Sequence, residues 1–477
     1  MNYNDIKKNV KILLEKYDNN IKLKFNKYID NIDFKIKETL ICHDLYNEII
    51  LINNIILTNT NNGDLYTLWK RIYIKYFNPI IIIGAGVSGL TIASGLINAF
   101  DSINESELIN ASKFNKENLL ILEARDRLGG RVFTNDKNMD MGAAWIHGSE
   151  NNPLNKFLDY SNLIAVADSN PWMHSENTKI KYLCDKHNIT EEQRQVLASK
   201  WNDIIKHISP DATVSISEIL SQLNIDDDLY SFLYLIEVWC GGSVKKITSS
   251  FLTSGIFGDY NGPHYIFKNG AKTLIESIIN SAKESYYDRI KYNQVVTDII
   301  YNDYYVEVHT QDGNIYYCSQ VCITVPPKPL KSINFSPPLD DNRLEILSKI
   351  KMGSYKKIQL EFSDNEIFWQ NNVPMILTYN PNTDAKEYYQ NTNQNTNQNT
   401  NQNTNQNTNQ NTNQKTDGFM PYILWNNYIF SKNKPILEAI CPADIGFKLA
   451  GKSDEEIVDI IMSNLRIYYP DAPEPKA

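Results

Sequence analysis

The sequence has no C-x-x-C pair. Its six cysteines, Cys42, Cys184, Cys240, Cys318, Cys322 and Cys441, are scattered along 477 residues, which points neither to a zinc site nor to a disulfide framework. No metal is expected, and a reducing, intracellular, cytoplasmic compartment fits. The opening MNYNDIKKNVKILLEKYDNN carries lysines but no uninterrupted apolar core followed by a small-residue cleavage site, so it does not read as a signal peptide. Excess positive charge is also lacking. A net charge of -9 argues against a nucleic-acid partner and suits a cationic substrate drawn by the overall field. The most apolar stretch, PIIIIGAGVSGLTIASGLINAF at 79–100, approaches transmembrane length, but three glycines in its first half favour a strand, a turn and a helix. No membrane span is expected.

What is present can build a large core: 42% of the residues are hydrophobic, and the length suits two or three domains. Residues 1–77 alternate lysine and asparagine with Ile, Leu and Tyr at loosely helical spacing and carry no identifiable chemistry. From 79 onward an apolar run, a glycine turn, a helix-period segment, a polar loop near 101–117 and a second buried strand, NLLILEA, form a β-α-β pattern. Residues 151–262 read mainly as helices with polar connections, for example TEEQRQVLASKWNDIIKHI and DLYSFLYLIEVW. Residues 290–325 alternate like strands around a turn at Asp312-Gly313. Six copies of NTNQ at 391–414 form a polar tract that cannot bury a core. The segment SDEEIVDIIMSNLRIYY has the pattern of a capped amphipathic helix.

The chemistry begins at the turn after IIII. Gly84 would make the tight turn, Gly86 would let the backbone approach a pyrophosphate, and Gly89 would let the helix pack closely on the strand. A lone G-x-G-x-x-G is weak evidence; here it has a strand before it, a helix after it, and a second strand ending in Glu123, whose carboxylate can accept both ribose hydroxyls. The segment Ala124-Arg125-Asp126-Arg127-Leu128-Gly129-Gly130-Arg131-Val132 then departs from the usual NAD pattern toward a flavoprotein. Its glycine doublet and the Arg131 guanidinium can come close to anionic phosphates, and the alternative is a solvated basic turn.

These motifs resemble the FAD-dependent amine oxidase superfamily, which includes monoamine oxidases, polyamine oxidases and flavin-dependent histone-lysine demethylases; the resemblance runs from about 79 to 477. It implies an α/β fold, with a discontinuous Rossmann-like FAD-binding domain and an inserted α+β substrate domain. The expected parts are an N-terminal extension 1–77, FAD-binding segments 78–150 and 263–335, and substrate segments 151–262 and 336–477. By resemblance, Glu123, Arg125 and Arg131 bind the ribose and pyrophosphate regions of FAD, and the backbone at Val296 meets the adenine. Lys357, in KMGSYKKIQLEF, matches a lysine that holds a water against the flavin N5. Lys356 would point to the other face of a strand, so a one-residue slip would exchange the two. An exposed strand-end charge is the plain alternative.

The stretch WIHG followed by Asn-Pro is similar to the polyamine and spermine oxidase version of its block. His147 would then face the substrate, where imidazole can exchange a hydrogen bond with an amine; a lone loop histidine is otherwise most often just satisfied. Trp145 reads as wall and packing. In LIEVWCGGS, Glu237 is a carboxylate within an apolar helix, costly unless paired, and either a cationic amine or a neighbouring lysine or arginine could pair it. Asn269-Gly270 stands where the family commonly has a glycine pair. The implied reaction removes a hydride from the carbon beside an amine nitrogen to FAD, leaves an imine that water hydrolyses, and reduces O2 to H2O2. The implied partners are a small cationic amine and O2. Relatives continue past the block matching SNLRIYYPDAPEPKA with a Gly-Ser-Tyr segment and a closing FAD-binding strand and helix, and this sequence stops at Ala477. The readings are thus a polyamine oxidase-like enzyme, a histone demethylase-like enzyme, which would call for a long coiled-coil insertion, and a truncated, inactive family member.

Overall fold

The computed structural model describes residues 79–100, 119–167, 180–183, 191–222, 230–253, 261–303, 305–390 and 421–476. The N-terminal extension, the 101–117 loop and the NTNQ tract lie outside them. The chain divides into two compact units: the residues up to Val132 with Leu274–Ile350, and Phe133–Thr273 with Lys351 onward. The changeovers fall at 132/133, 273/274 and 350/351, not at the expected 150/151, 262/263 and 335/336. Strand pairing accounts for the first two. His264–Phe267 lies antiparallel to both Trp145–Ile146 and Leu163–Ala167, so the WIHG block joins the second unit.

In the first unit, Ile80–Ile83 is buried at every position and pairs in parallel with Leu119–Leu122 on one side and Gln320–Ile323 on the other. Ile290–Lys291 extends the sheet beyond Leu119–Leu122. A strand flanked on both sides and covered on both faces has no solvated position, which is why it reads IIII rather than alternating. The helix Val87–Phe100 follows and completes the β-α-β unit. Leu90, Ala93 and Ile97 form its buried stripe. Tyr286 fixes the same helix: its hydroxyl donates to the Leu90 carbonyl at 3.1 Å and lies 2.9 Å from Ser94 Oγ. A second sheet has the order Ile315–Cys318, Val306–Thr310, Val296–Tyr301, Asn334–Ser336. Its hairpin turns at Asp312-Gly313, with Gly313 at φ +85°.

The second unit is built on a five-stranded sheet of order Tyr355–Glu361, Ile436–Pro442, Tyr422–Asn427, Met375–Tyr379, Ile180–Leu183. Helices Glu191–Lys206 and Tyr230–Cys240 appear where the apolar periodicity places them. Leu163–Ala167 and Ile180–Leu183 are strands inside a stretch read as mainly helical. LIAVA and IKYL are too short to declare a period, and their partners lie far along the chain, at His264–Phe267 and Met375–Tyr379. Helix Asp454–Arg466 begins with a complete Ser453/Glu456 capping box, which satisfies amide donors that the first turn leaves open.

Candidate functional site

The candidate side chains are divided between the two units. In the first, Gly84 has φ +106°, and a Cβ there would lie 2.9 Å from Thr324 Oγ1. Gly89 is more constrained, because its Cβ would sit 2.0 Å from the Gly84 carbonyl oxygen; the helix can leave the strand at this angle only without a side chain. Gly86 is bridged to Gly129, and a Cβ on Gly130 would meet Gly86 Cα at 3.4 Å. Gly129 takes φ +92° and donates its N–H to the Ala85 carbonyl at 2.9 Å. Two glycine turns therefore face each other beside the start of a 14-residue helix with no acidic residue in its first turn. Such an end attracts an anion through its free amides and its dipole.

Glu123 is buried at the end of its strand. Ala85 N–H donates to its Oε2 at 2.7 Å and Arg125 N–H to its Oε1 at 3.0 Å. The carboxylate thus ties the second strand to the glycine loop while keeping further acceptor capacity. Arg125 donates to the Gly130 carbonyl at 3.1 Å, and Arg131 is exposed. Arg127, not singled out in the sequence, braces the turn: it donates to the carbonyls of Leu128, Gly130 and Val132 at 3.1, 3.1 and 3.4 Å. Burial, followed by repulsion from Arg125, lowers its pKa. Its position between two other arginines hid it, since carbonyl acceptors leave no trace in composition. Gln294 N–H donates to the Glu123 carbonyl at 2.8 Å, and Asn293 N–H to that of Arg125 at 3.0 Å. This docks the NQVV segment, with Val296 opening its strand, against the end of the Glu123 strand.

The second set surrounds His147. Its ring stacks on Trp145 at 5.8 Å and 9°, meets Trp239 at 4.6 Å, and lies edge-on to His264 at 5.6 Å. His147 is itself exposed, with these three rings on its inner side. Desolvation by these rings, then repulsion from His264, lowers its pKa from 6.5 to about 4. His264 is buried, its pKa is likewise lowered by burial, and its Nδ1 has no hydrogen-bond partner among the described residues. The histidines and indoles therefore form an uncharged aromatic group at neutral pH. Sequence reasoning missed His264 because its strand, HYIF, is short and apolar.

Glu237 lies elsewhere. It is 1% exposed; Val244 N–H donates to Oε1 at 3.0 Å, and Oε2 has no hydrogen-bond partner among the described residues. Burial, with Asp444 adding to it, raises its pKa to about 8 against the opposing pull of Val244 and Lys245. Neither expected pairing is found: it forms no ion pair among the described residues, and its burial leaves no face open to an amine. Trp239 is two residues further on, about 200° around the helix, so His147 and Glu237 do not converge on one side of it.

Lys357 and Lys356 take opposite faces of Tyr355–Glu361, as strand alternation requires. Lys356 donates to the Leu449 carbonyl at 3.1 Å. Lys357 is nearly buried; it donates to the Asp140 carbonyl at 2.9 Å and lies 3.5 Å from Glu438 Oε1. The Asp140 carboxylate accepts from Thr134 Oγ1 at 2.6 Å and from Ala271 N–H at 2.7 Å. Asp140 thereby anchors the Asn269-Gly270 turn, where Gly270 has φ +84° and a Cβ would strike Thr134 at 2.1 Å. Burial raises the Asp140 pKa, and the neighbouring Lys432 and Lys357 oppose that rise.

With this geometry in view, residues 87–477 match the family model of flavin-containing amine oxidoreductases, and the chain belongs to that family. It is accordingly an oxidoreductase acting on CH–NH groups, with FAD as its cofactor. Polyamine oxidase 4 of Oryza sativa subsp. japonica is 25% identical over 429 residues, covering 83% of this chain and 74% of that protein. Probable polyamine oxidase 4 of Arabidopsis thaliana is 24% identical over 425 residues, covering 83% and 72%. The human lysine-specific histone demethylase 2 is 26% identical over 338 residues, covering 65% of this chain and 37% of that protein. Among the described residues no helix is long and apolar enough to cross a membrane.

Proposed function

We propose that the protein oxidises a polyamine-type C–N bond, taking a small cationic amine and O2 as its substrates. The observation that carries this reading is the aromatic group around His147. Indole faces attract a cation, while an uncharged imidazole accepts a hydrogen bond from an amine N–H without repelling its charge. The similarity to plant polyamine oxidases, together with the net charge of -9, points the same way.

The first set of residues fits a dinucleotide. The opposed glycine turns leave room that a Cβ would fill, the helix end supplies amides, and Arg125 and Arg131 stand beside them. In this reading the first unit is a Rossmann-like FAD-binding domain, Glu123 and Val296 serve the adenosine end, and the second unit carries the amine. Bound FAD supplies a two-electron acceptor that oxygen can regenerate. Lys357 has three N–H donors; one goes to Asp140, one is directed at Glu438, and the third is free to hold a water. His147 positions the amine, and Trp145 and Trp239 shield it from bulk water.

The test is the visible absorption spectrum of the purified chain before and after anaerobic addition of spermine, with a mono- or dimethylated histone-tail peptide in parallel. Flavin absorbance that bleaches with spermine supports the reading. Bleaching with the peptide alone moves the substrate to the demethylase class. A colourless protein that takes up no added FAD refutes the enzyme and supports the inactive family member.

A further inference from the structure

Glu438 is the most completely enclosed carboxylate among the described residues of the second unit: it is 0% exposed, yet each of its oxygens has a donor. It sits on the Ile436–Pro442 strand directly opposite Gln359 on one side and Asn426 on the other. Gln359 Nε2 donates to its Oε2 at 2.6 Å. Asn426 Nδ2 donates to its Oε1 at 2.8 Å, and Tyr428 OH does so at 3.3 Å. Lys357, diagonal to it across the strand pair, brings Nζ to 3.5 Å of the same oxygen. On the other side of Lys357 lies Asp140, whose carboxylate is 3.8 Å from Lys432 Nζ, and Lys432 also donates to the Asn138 carbonyl at 3.0 Å. Two cations and two anions, all nearly or fully buried, are thus interleaved.

An isolated buried carboxylate is strongly disfavoured, and a paired one is no better for stability than a well-packed apolar residue. Three side-chain donors spent on holding Glu438 in place therefore suggest a task other than stability. We infer that Glu438 is a positioning residue for Lys357: it fixes the direction of the ammonium, so that the remaining N–H points at one place. The inference rests on the reading of Lys357 given above and adds to it the residue that aims the lysine.

Two measurements test it. The first needs no cofactor: thermal melting of the wild type, Lys357→Met, Glu438→Leu and the double variant. Each single change should lower the melting temperature by several degrees, because it leaves the other charge buried and unpaired. The double variant should recover much of that loss, and additive shifts would overturn the pairing. The second uses the FAD-loaded protein and follows reoxidation of reduced flavin by O2 beside the KM for spermine. Glu438→Leu should slow reoxidation at least tenfold, toward the Lys357→Met rate, with KM changed less than about twofold. Glu438→Gln, which keeps the shape and a carbonyl acceptor for the ammonium, should fall between them and guards against misfolding of the leucine variant. Wild-type reoxidation in both Glu438 variants, with a slow Lys357→Met, overturns the positioning role and leaves the lysine reading intact. Wild-type reoxidation in Lys357→Met removes the lysine reading and the inference with it, whatever the melting cycle gives.

Discussion

Glu237→Gln should make the protein less sensitive to alkaline pH. The carboxyl is 1% exposed with one oxygen unpartnered, and burial lifts its pKa from 4.5 to about 8. Below pH 4.5 both folded and unfolded chains hold the proton, and Glu237 contributes no pH dependence. Between 4.5 and about 8 the folded chain binds the extra proton, so stability falls as pH rises through this window and levels off above it. At 1.36 kcal/mol per unit the full rise is worth about 5 kcal/mol, to order of magnitude. With roughly 2–4 °C per kcal/mol for a domain of 150–250 residues, the effect on the melting temperature is on the order of 10 °C. Glutamine has nearly the same shape, keeps an acceptor for Val244 N–H and never ionises. At pH 5 the variant should melt within a few degrees of the wild type, and by pH 9 it should melt well above it. The remaining groups are the same in both proteins, so the difference between the two curves isolates Glu237. Parallel melting curves from pH 5 to pH 9 would refute the reasoning.

Other substitutions probe the rest of the site. Gly89→Ala places a methyl group 2.0 Å from the Gly84 carbonyl oxygen; it should cost about 3 kcal/mol and abolish FAD uptake, read as lost absorbance near 450 nm. Arg127→Ala releases three carbonyls of the glycine turn and should weaken FAD affinity by roughly ten- to a hundredfold in a fluorescence titration; unchanged affinity would make Arg127 a bystander. His147→Ala should raise KM for spermine at least tenfold with the flavin spectrum intact. Because desolvation by the neighbouring rings and repulsion from His264 lower the His147 pKa to about 4, its ring carbon proton shift should show no protonation in histidine-labelled NMR from pH 8 down to 5.5, and a midpoint near 6.5 would show that the rings do not desolvate it. Ser453→Ala removes the capping box of Asp454–Arg466 and should cost about 1 kcal/mol in thermal unfolding.

The glycine turn after IIII was legible because its constraints are local. Gly84 and Gly89 are demanded by the turn's own backbone and by Thr324 on the adjoining strand's end, so their spacing carries the geometry, whereas a Cβ on Gly86 would meet nothing nearer than 3.9 Å. The capping box and the Asp312-Gly313 hairpin were readable for the same reason. Strands such as IKYL and LIAVA were not, because four or five residues show no decisive period and their partners lie as much as two hundred residues away. His264 and Arg127 escaped for a related reason: what gives them meaning is a ring or a carbonyl brought alongside by the fold.

The two buried glutamates show how far a chemical rule carries without coordinates. The rule that a carboxylate among apolar residues must be paired applies equally to FLYLIEVWC and to ILEAICP, and sequence reading fixed on the first. In the fold, Glu237 is the unpaired one, and its high pKa is the way a buried acid meets the rule without a partner, by keeping its proton. Glu438 meets the same rule by pairing, since strand register sets Gln359 and Asn426 on either side and Lys357 on the diagonal. None of those partners is within ten residues of it, so no window along the chain could have distinguished the two. Register, which one residue of slip would reverse, is what brings a cationic side chain to Glu438, while Glu237, on a helix, forms no ion pair among the described residues.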